Sequence, residues 1–374
     1  MFFSLPLNTH VNVSFFDQHQ KTKSRLAYTS GVKKRTSYLF ALILLAALLV
    51  LLALLTWRSP SAGRLAVPAH PANTLHYVEP ISPLPTPIAD PAPERSALGK
   101  LLFHDPALSA DGSIACASCH ILERAGTDGR NRAIGIGGAE GARNTPSIFN
   151  STYEVALFWD GRAKTLAEQV DGPLLHRHEM ASNWPLVLQR LAANPDYQIR
   201  FTQLYPKGIT RDNVIDALVH YQLTLISPNA PFDRYLRGER DAIDADAREG
   251  YSRFKAYGCA SCHQGVNVGG NMFQRFGIMN DLFAGQDHAD PGRFLVTGKE
   301  ADRYVFKVPS LRNVVLTAPY FHDGSAERLE DAIAIMGLSQ LGRHLTEEDI
   351  RLIAAFLATL TGQISDGTQV LPPP

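Results

Sequence analysis

Four cysteines occur in the 374-residue chain, and all of them stand in two copies of one arrangement, Cys116-Ala117-Ser118-Cys119-His120 and Cys259-Ala260-Ser261-Cys262-His263. Two thiols three positions apart can each add to a vinyl group of a haem, and the histidine that follows then reaches the iron as its proximal ligand. A zinc site would need further cysteine or histidine at ligand spacing in both halves. A redox dithiol has no use for a trailing histidine twice over. No cysteine is left for a structural disulfide, so the chemistry written here is that of two covalently bound c-type haems.

What each haem does depends on the opposite face of its iron. A methionine there makes an electron-transfer centre of raised potential, whereas an open position admits a substrate. After the initiator the chain holds only Met180, Met272, Met279 and Met336. For the second haem Met336 is the candidate, since it closes a helical segment with Leu329 and Ile333 far enough downstream to fold over the ring. Met272 and Met279 follow His263 too closely and are expected at the haem edge or in a loop. Before the second motif the candidate is Met180, directly after Glu179. Either Met180 ligates iron and the protein is a relay, or Glu179 serves an open iron and the protein is an enzyme.

The elements that must carry these residues read as helices joined by long loops, with no convincing alternating strand pattern. Val214, Leu218, Tyr221 and Leu225 sit at helical spacing, as do Ile350, Ile353, Leu357 and Leu360. Thr346 and Asp349 resemble a capping box for the second of these, with Gly362 placed to end it. Ala247, Tyr251 and Phe254 form a helical lead-in to Cys259. The expected fold is therefore all-α, with a haem domain over 94–230 and a second over 231–374, divided near Pro228 to Pro231.

Ahead of them, residues 58–93 hold nine prolines, a density that forbids helix and suits an extended linker. Tyr38 to Trp57 is an uncharged apolar run of about 20 residues, the length that crosses a bilayer as a helix. Lys21, Lys23, Arg25, Lys33, Lys34 and Arg35 precede it against Asp17 alone, which puts residues 1–37 in the cytoplasm and the remainder in the periplasm. An inner-membrane, single-pass anchor is thus expected, with a signal peptide cleaved near Ser61 to Gly63 as the rival reading. Lys+Arg and Asp+Glu both total 36, so nothing suggests nucleic acid.

From Leu98 to Gly362 the chain resembles the bacterial di-haem cytochrome c peroxidases. The resemblance is carried by Gly126-Thr127-Asp128, Arg143-Asn144-Thr145-Pro146, Phe158-Trp159-Asp160-Gly161-Arg162, Glu179-Met180, Pro231-Phe232-Asp233, Gly258 through Gly270, Pro309 through Val314, Pro319-Tyr320-Phe321-His322 and Ile335-Met336-Gly337. Two cytochrome c-like domains are implied. The His120 haem becomes the peroxidatic centre, and the His263 haem the high-potential one with Met336 as ligand. The substrate implied is hydrogen peroxide and the electron donor a small cytochrome c or cupredoxin. Pairing into a homodimer is common in the family.

Carried over residue by residue, Glu179 matches the acid–base carboxylate. Heterolysis of the O–O bond moves a proton from the near to the leaving oxygen, and one carboxylate can make both transfers. Gln169 and Pro173 match the lining of the same pocket, leaving Met180 as a neighbour. Trp159 matches the tryptophan between the haems. Asn144, Thr317 and Pro319 match positions that bind a calcium ion through one side-chain oxygen and two carbonyls, ligands suited to a hard cation. His322 on the same loop carries no ligand role.

One position departs from the pattern. Many relatives place a histidine after the first motif, where it caps the peroxidatic iron until the other haem is reduced. Here the matched residue is Ile136, within Ala133-Ile134-Gly135-Ile136-Gly137-Gly138, and isoleucine cannot ligate iron. His176 and His178 flank the Glu179 segment and are the candidates to replace it. A related class, the oxidases that mature methylamine dehydrogenase, has tyrosine where Met336 stands. A non-catalytic di-haem carrier would show two six-coordinate haems.

Overall fold

Glycine lets two pairs of helices cross with their backbones almost touching, and these crossings organise the chain. The structure is a computed structural model that describes residues 79–85, 89–283 and 289–363, with Leu45, Ala46, Leu48 and Leu49. The helices used below are α1 (Pro93–Phe103), α2 (Cys116–Cys119), α3 (Leu166–Leu175), α4 (Trp184–Ala193), α5 (Pro195–Leu204), α6 (Arg211–Thr224), α7 (Pro231–Leu236), α8 (Ala245–Ala256), α9 (Phe294–Thr297), α10 (Leu329–Leu341) and α11 (Glu347–Ala358). An antiparallel pair of three-residue strands, β1 (Phe273–Arg275) and β2 (Val305–Lys307), aligns Phe273 with Lys307. The architecture is mostly helical, and this strand pair departs from the all-α expectation.

Local chemistry explains the best-defined helices. Thr210 Oγ1 accepts the Asn213 N–H at 3.2 Å and starts α6, where Val214, Leu218 and Tyr221 are buried. Thr346 and Asp349 form the capping box of α11 as expected, with bonds of 2.9 and 3.1 Å. That helix stops at Ala358, however. Gly362 does not end it and instead lies where the chain passes the Ser227 carbonyl, which a Cβ would approach to 1.9 Å.

α1 crosses α6 at Gly99, and α8 crosses α11 at Gly250. A Cβ would stand 1.9 Å from the Ala217 carbonyl oxygen in the first case and 1.9 Å from that of Leu352 in the second. Neither neighbour can yield without moving backbone. Gly99→Ala and Gly250→Ala should therefore each cost about 1–3 kcal/mol of stability, read as a lowered denaturation midpoint, and an unchanged midpoint would refute the close approach.

One buried cluster runs from Leu98 to Leu225 and a second joins Ile81 to Phe232 through Leu360. A buried polar hub links the segments where they meet. Ser227 Oγ accepts from Asn150 and Asn313 amides at 2.8 Å each, and the Gly362 N–H donates to Asn313 Oδ1 at 3.0 Å. Each polar group taken from water has a partner here, as burial requires.

The end of the expected linker is docked. Ile81 and Leu84 are buried, the Gly265 N–H donates to the Pro80 carbonyl at 2.8 Å, and the Leu84 N–H donates to Asp233 Oδ1 at 3.2 Å. Residues 58–78 and 86–88 of that linker lie outside the described residues.

The inner-membrane, single-pass assignment is corrected: among the described residues no helix is long and apolar enough to cross a membrane. Spanning ~30 Å at 1.5 Å per residue takes about 20 helical residues. Of Tyr38 to Trp57, only Leu45, Ala46, Leu48 and Leu49 are described, as helix. The rest of that run, the basic residues 1–37 and the rival cleavage region fall outside the described residues.

Candidate active site and haem cavities

The first motif is a single helical turn. In α2 the Ser118 hydroxyl accepts the Ala115 N–H at 2.9 Å, and the His120 N–H donates to the Cys116 carbonyl at 3.0 Å. His120 Nδ1 lies 3.0 Å from the Gly126 carbonyl. As the donor in that bond, Nδ1 keeps the proton and leaves Nε2 with a free lone pair. Burial lowers the His120 pKa, so the ring is held neutral. Burial also pushes the Cys116 thiol up to about 12 and Cys119 to about 11.

Glu179 sits beside this turn, close enough for its charge to disfavour the Cys119 thiolate. It is presented by the loop after α3, where its N–H donates to the His176 carbonyl at 2.9 Å and its carbonyl accepts the Ile136 N–H at 2.8 Å. Gly135 makes that pairing feasible, because a Cβ there would lie 2.0 Å from the His178 carbonyl oxygen. The Ile136 loop and the Glu179 loop are thus locked backbone to backbone. Burial raises the Glu179 pKa, opposed by His176 and then Arg162. His176 Nδ1 lies 3.4 Å from Glu179 Oε1. Arg162 lies over the Phe158 ring at 3.5 Å and pairs with Asp160 at 3.0 Å.

The second motif opens on a cavity. Cys259, Cys262 and His263 line it together with Met336 of α10, and Phe254, Leu311, Ile333 and Leu357 supply apolar wall. Burial drives the His263 pKa down to about 4, which keeps the imidazole neutral. His263 Nδ1 is buried without a partner in hydrogen-bonding geometry. Gly269, at φ +128°, brings the Pro309 carbonyl close to this ring, since a Cβ would stand 2.2 Å from that oxygen and 3.3 Å from Nδ1.

Residues 93–241 match the family described as di-haem cytochrome c peroxidase. The chain is 45% identical over 289 residues to cytochrome c peroxidase Ccp of Escherichia coli, covering 77% of this chain and 62% of that one. It is 42% identical over 304 residues to cytochrome c551 peroxidase of Nitrosomonas europaea, covering 81% of this chain and 90% of the relative. The chain belongs to the di-haem cytochrome c peroxidase family. Among solved structures, a MauG-like protein associated with microbial copper homeostasis is similar at a TM-score of 0.65 and 31% identity, over 76% of this chain and 94% of that one. The chain spans 62% of the length of the Escherichia coli relative.

A di-haem peroxidase needs two places for haem, and the residues present fit them. The four cysteines are free thiols. His120 and His263 are neutral imidazoles, the form that ligates iron, and the second lines an apolar cavity opposite a methionine-bearing helix.

Other expected residues fall as follows. Gln169 and Pro173 lie on α3, which leads into the Glu179 loop, and Met180 is buried in the first cluster, packed as core. Trp159 lines the second cavity and donates its indole N–H to the Asn144 carbonyl at 3.0 Å. Asn144, Thr317 and Pro319 line that same cavity. The Asn144 side-chain N–H donates to the Arg130 carbonyl at 2.8 Å, which turns its amide oxygen elsewhere. Met279 is exposed, as expected of a loop residue, and Met272 is half-buried.

Three arrangements were not foreseen. Arg143 is clamped between Asp160 at 2.6 Å and Asp290, bonded at 2.6 and 2.8 Å. His322 is buried within an aromatic group of Phe276, Phe283, Phe306 and Trp159. Glu154 and Lys307 form a buried ion pair in the cavity wall. Arg143, His322, Trp159 and Asp160 stand in motifs already singled out, but Asp290, Phe276, Phe283 and Phe306 do not, and no local signal ties them together.

Proposed function

We propose that this chain reduces hydrogen peroxide to water at the His120 haem, with electrons delivered by a small redox protein through the His263 haem. The observation that carries the reading is the unlike surroundings of the two motifs. A carboxylate stands beside the first, whereas a methionine faces the cavity of the second. The thiols of Cys116 and Cys119, and of Cys259 and Cys262, would hold the haems covalently. Bound haem supplies the electrons and the iron that peroxide meets. Glu179 removes the proton from one peroxide oxygen and returns it to the other, which leaves as water. Gln169 and Pro173 are assigned to the lining of the pocket around it by their match to the family, and Trp159 lines the cavity of the second motif. Stopped-flow mixing of peroxide with the haem-loaded protein and a reduced cytochrome c tests this directly, since donor oxidation no faster than the uncatalysed rate would overturn it.

Met336 would hold the iron of the second haem through its thioether, since it lines the same cavity as His263. Tyrosine at this place marks the methylamine-type oxidases, so the thioether favours the peroxidase. Methionine raises a haem potential relative to histidine. Met336→His should therefore lower the second potential and slow donor-driven turnover, while peroxide still binds at the first haem. A spectroelectrochemical titration that returns the wild-type potential would remove the assignment.

The oxygens of Asn144, Thr317 and Pro319 are assigned to one calcium ion, with water completing the shell. The support is that all three line one cavity and that the Asn144 carbonyl also accepts the Trp159 indole N–H. Metal analysis should count one calcium per chain, and Asn144→Ala should lose it.

A further inference from the structure

Glu154 occupies a place that neither haem motif explains. Its carboxylate pairs with the Lys307 ammonium, and the two side chains are only 11% and 7% exposed. Both residues line the cavity shared by His263, Met336 and Trp159. Glu154 also lines a separate groove on the outer side, formed with Thr152, Lys164 and Thr165 and with the apolar Leu157, Leu166 and Val219. Glu154 is the residue common to the two, with the haem cavity on one side and the outer groove, which carries the exposed Lys164 and Thr165, on the other.

The charged neighbours are few. Lys307 faces Glu154 from β2, and Lys164 shares the groove from the turn before α3. From the loop after His263, the Asn267 amide and the Glu154 carboxylate both lie 3.4 Å from where a Gly270 Cβ would stand. Arg312 and His322 line other parts of the cavity. Burial pushes the Glu154 carboxyl up, and the Lys307 charge opposes it.

We propose that Glu154 is a redox-linked proton site: its carboxylate takes up one proton from solvent when an electron reaches the haem held by His263 and Met336, and releases it when the electron leaves. This rests on the reading of a di-haem peroxidase given above. In the step, one electron from the redox donor converts ferric to ferrous iron, and one proton converts the carboxylate to the carboxylic acid. The added electron and the added proton cancel, so the summed charge of the cavity wall and haem is unchanged. The physical cause is that a negative charge added at low dielectric raises the proton affinity of a nearby carboxylate. Linkage makes the effect reciprocal, so a proton on Glu154 eases reduction of the haem. Peroxide reduction itself consumes one proton for each electron, and the outer groove is where Glu154 would take up such a proton.

The test is the midpoint potential of the second haem, measured across pH on the haem-loaded full chain. The wild type should show a potential that falls as pH rises through one window and is flat on both sides. Glu154→Gln should lose that dependence, and Glu154→Asp should retain it in a shifted window. A wild-type potential independent of pH, or an unaltered slope in Glu154→Gln, overturns the proposal; the second outcome assigns the proton to the haem's own propionates. Should Glu154→Gln fail to bind haem, Glu154→Asp decides, because an unmoved window excludes this residue. The absorption spectrum separates the two levels of argument. Absence of a His–Met haem defeats the peroxidase reading itself, whereas its presence with a pH-independent potential defeats only the role of Glu154.

Discussion

Exchanging Glu179 for Gln is expected to lower peroxide turnover by roughly 10²–10⁴-fold, the worth of one positioned proton-transfer group, while both haems stay in place. The side chain keeps its shape, and the two backbone bonds that set the loop, from Glu179 to His176 and from Ile136 to Glu179, do not involve the carboxylate. What is lost is the titrating group. Because burial raises the Glu179 pKa, the acid limb of kcat/KM should lie above the ordinary carboxylate range, with activity falling as the base is protonated. The variant should lack that limb.

Stability should respond with the opposite sign. A carboxyl whose folded pKa is raised stabilises the fold at pH below its unfolded value, and that contribution is lost as pH rises through the folded value. Removing it should leave the fold no weaker at neutral pH. Turnover within a few-fold of wild type would move the proton chemistry to His176, whose Nδ1 is 3.4 Å from Glu179, or to His178.

The fully oxidised protein should react with peroxide without prior reduction, because position 136 carries isoleucine. Its N–H is bonded to the Glu179 carbonyl, so this loop position is held against the Glu179 segment, and Gly137 and Gly138 after it are exposed with open space around them. A histidine at this place, as the family resemblance implies for many relatives, would close the iron. Isoleucine has no lone pair with which to do so. Electron paramagnetic resonance of the air-oxidised protein should show a high-spin ferric component from the His120 haem. Ile136→His should install the lock: a cap in place about 99% of the time cuts the reactive fraction, and with it the rate of the oxidised protein, about 10²-fold, and one electron on the second haem should restore it. Two low-spin signals in the resting wild type would defeat this. His176 and His178, whose rings lie 5.7 Å apart edge to face, would then be the substitutes, and Ile136→His would change little.

Read from residues alone, the two Cys-x-x-Cys-His motifs stand out, since the pattern occupies five consecutive residues and needs nothing from elsewhere. The helices α6, α8 and α11 were legible for the same reason: periodic burial and a cap such as Thr346 with Asp349 act within one or two turns. Glu179 and Met180 could not be told apart by spacing. Tertiary packing separates them, burying Met180 in the core and leaving Glu179 beside Cys119. The Ile136 loop meets Glu179 only because Gly135 allows two distant backbones to touch. Arg143 finds Asp290 across 147 residues, and Glu154 finds Lys307 across 153. A single charged residue reads as surface until the fold supplies its partner and removes its water, and those two acts alone set its protonation and its use.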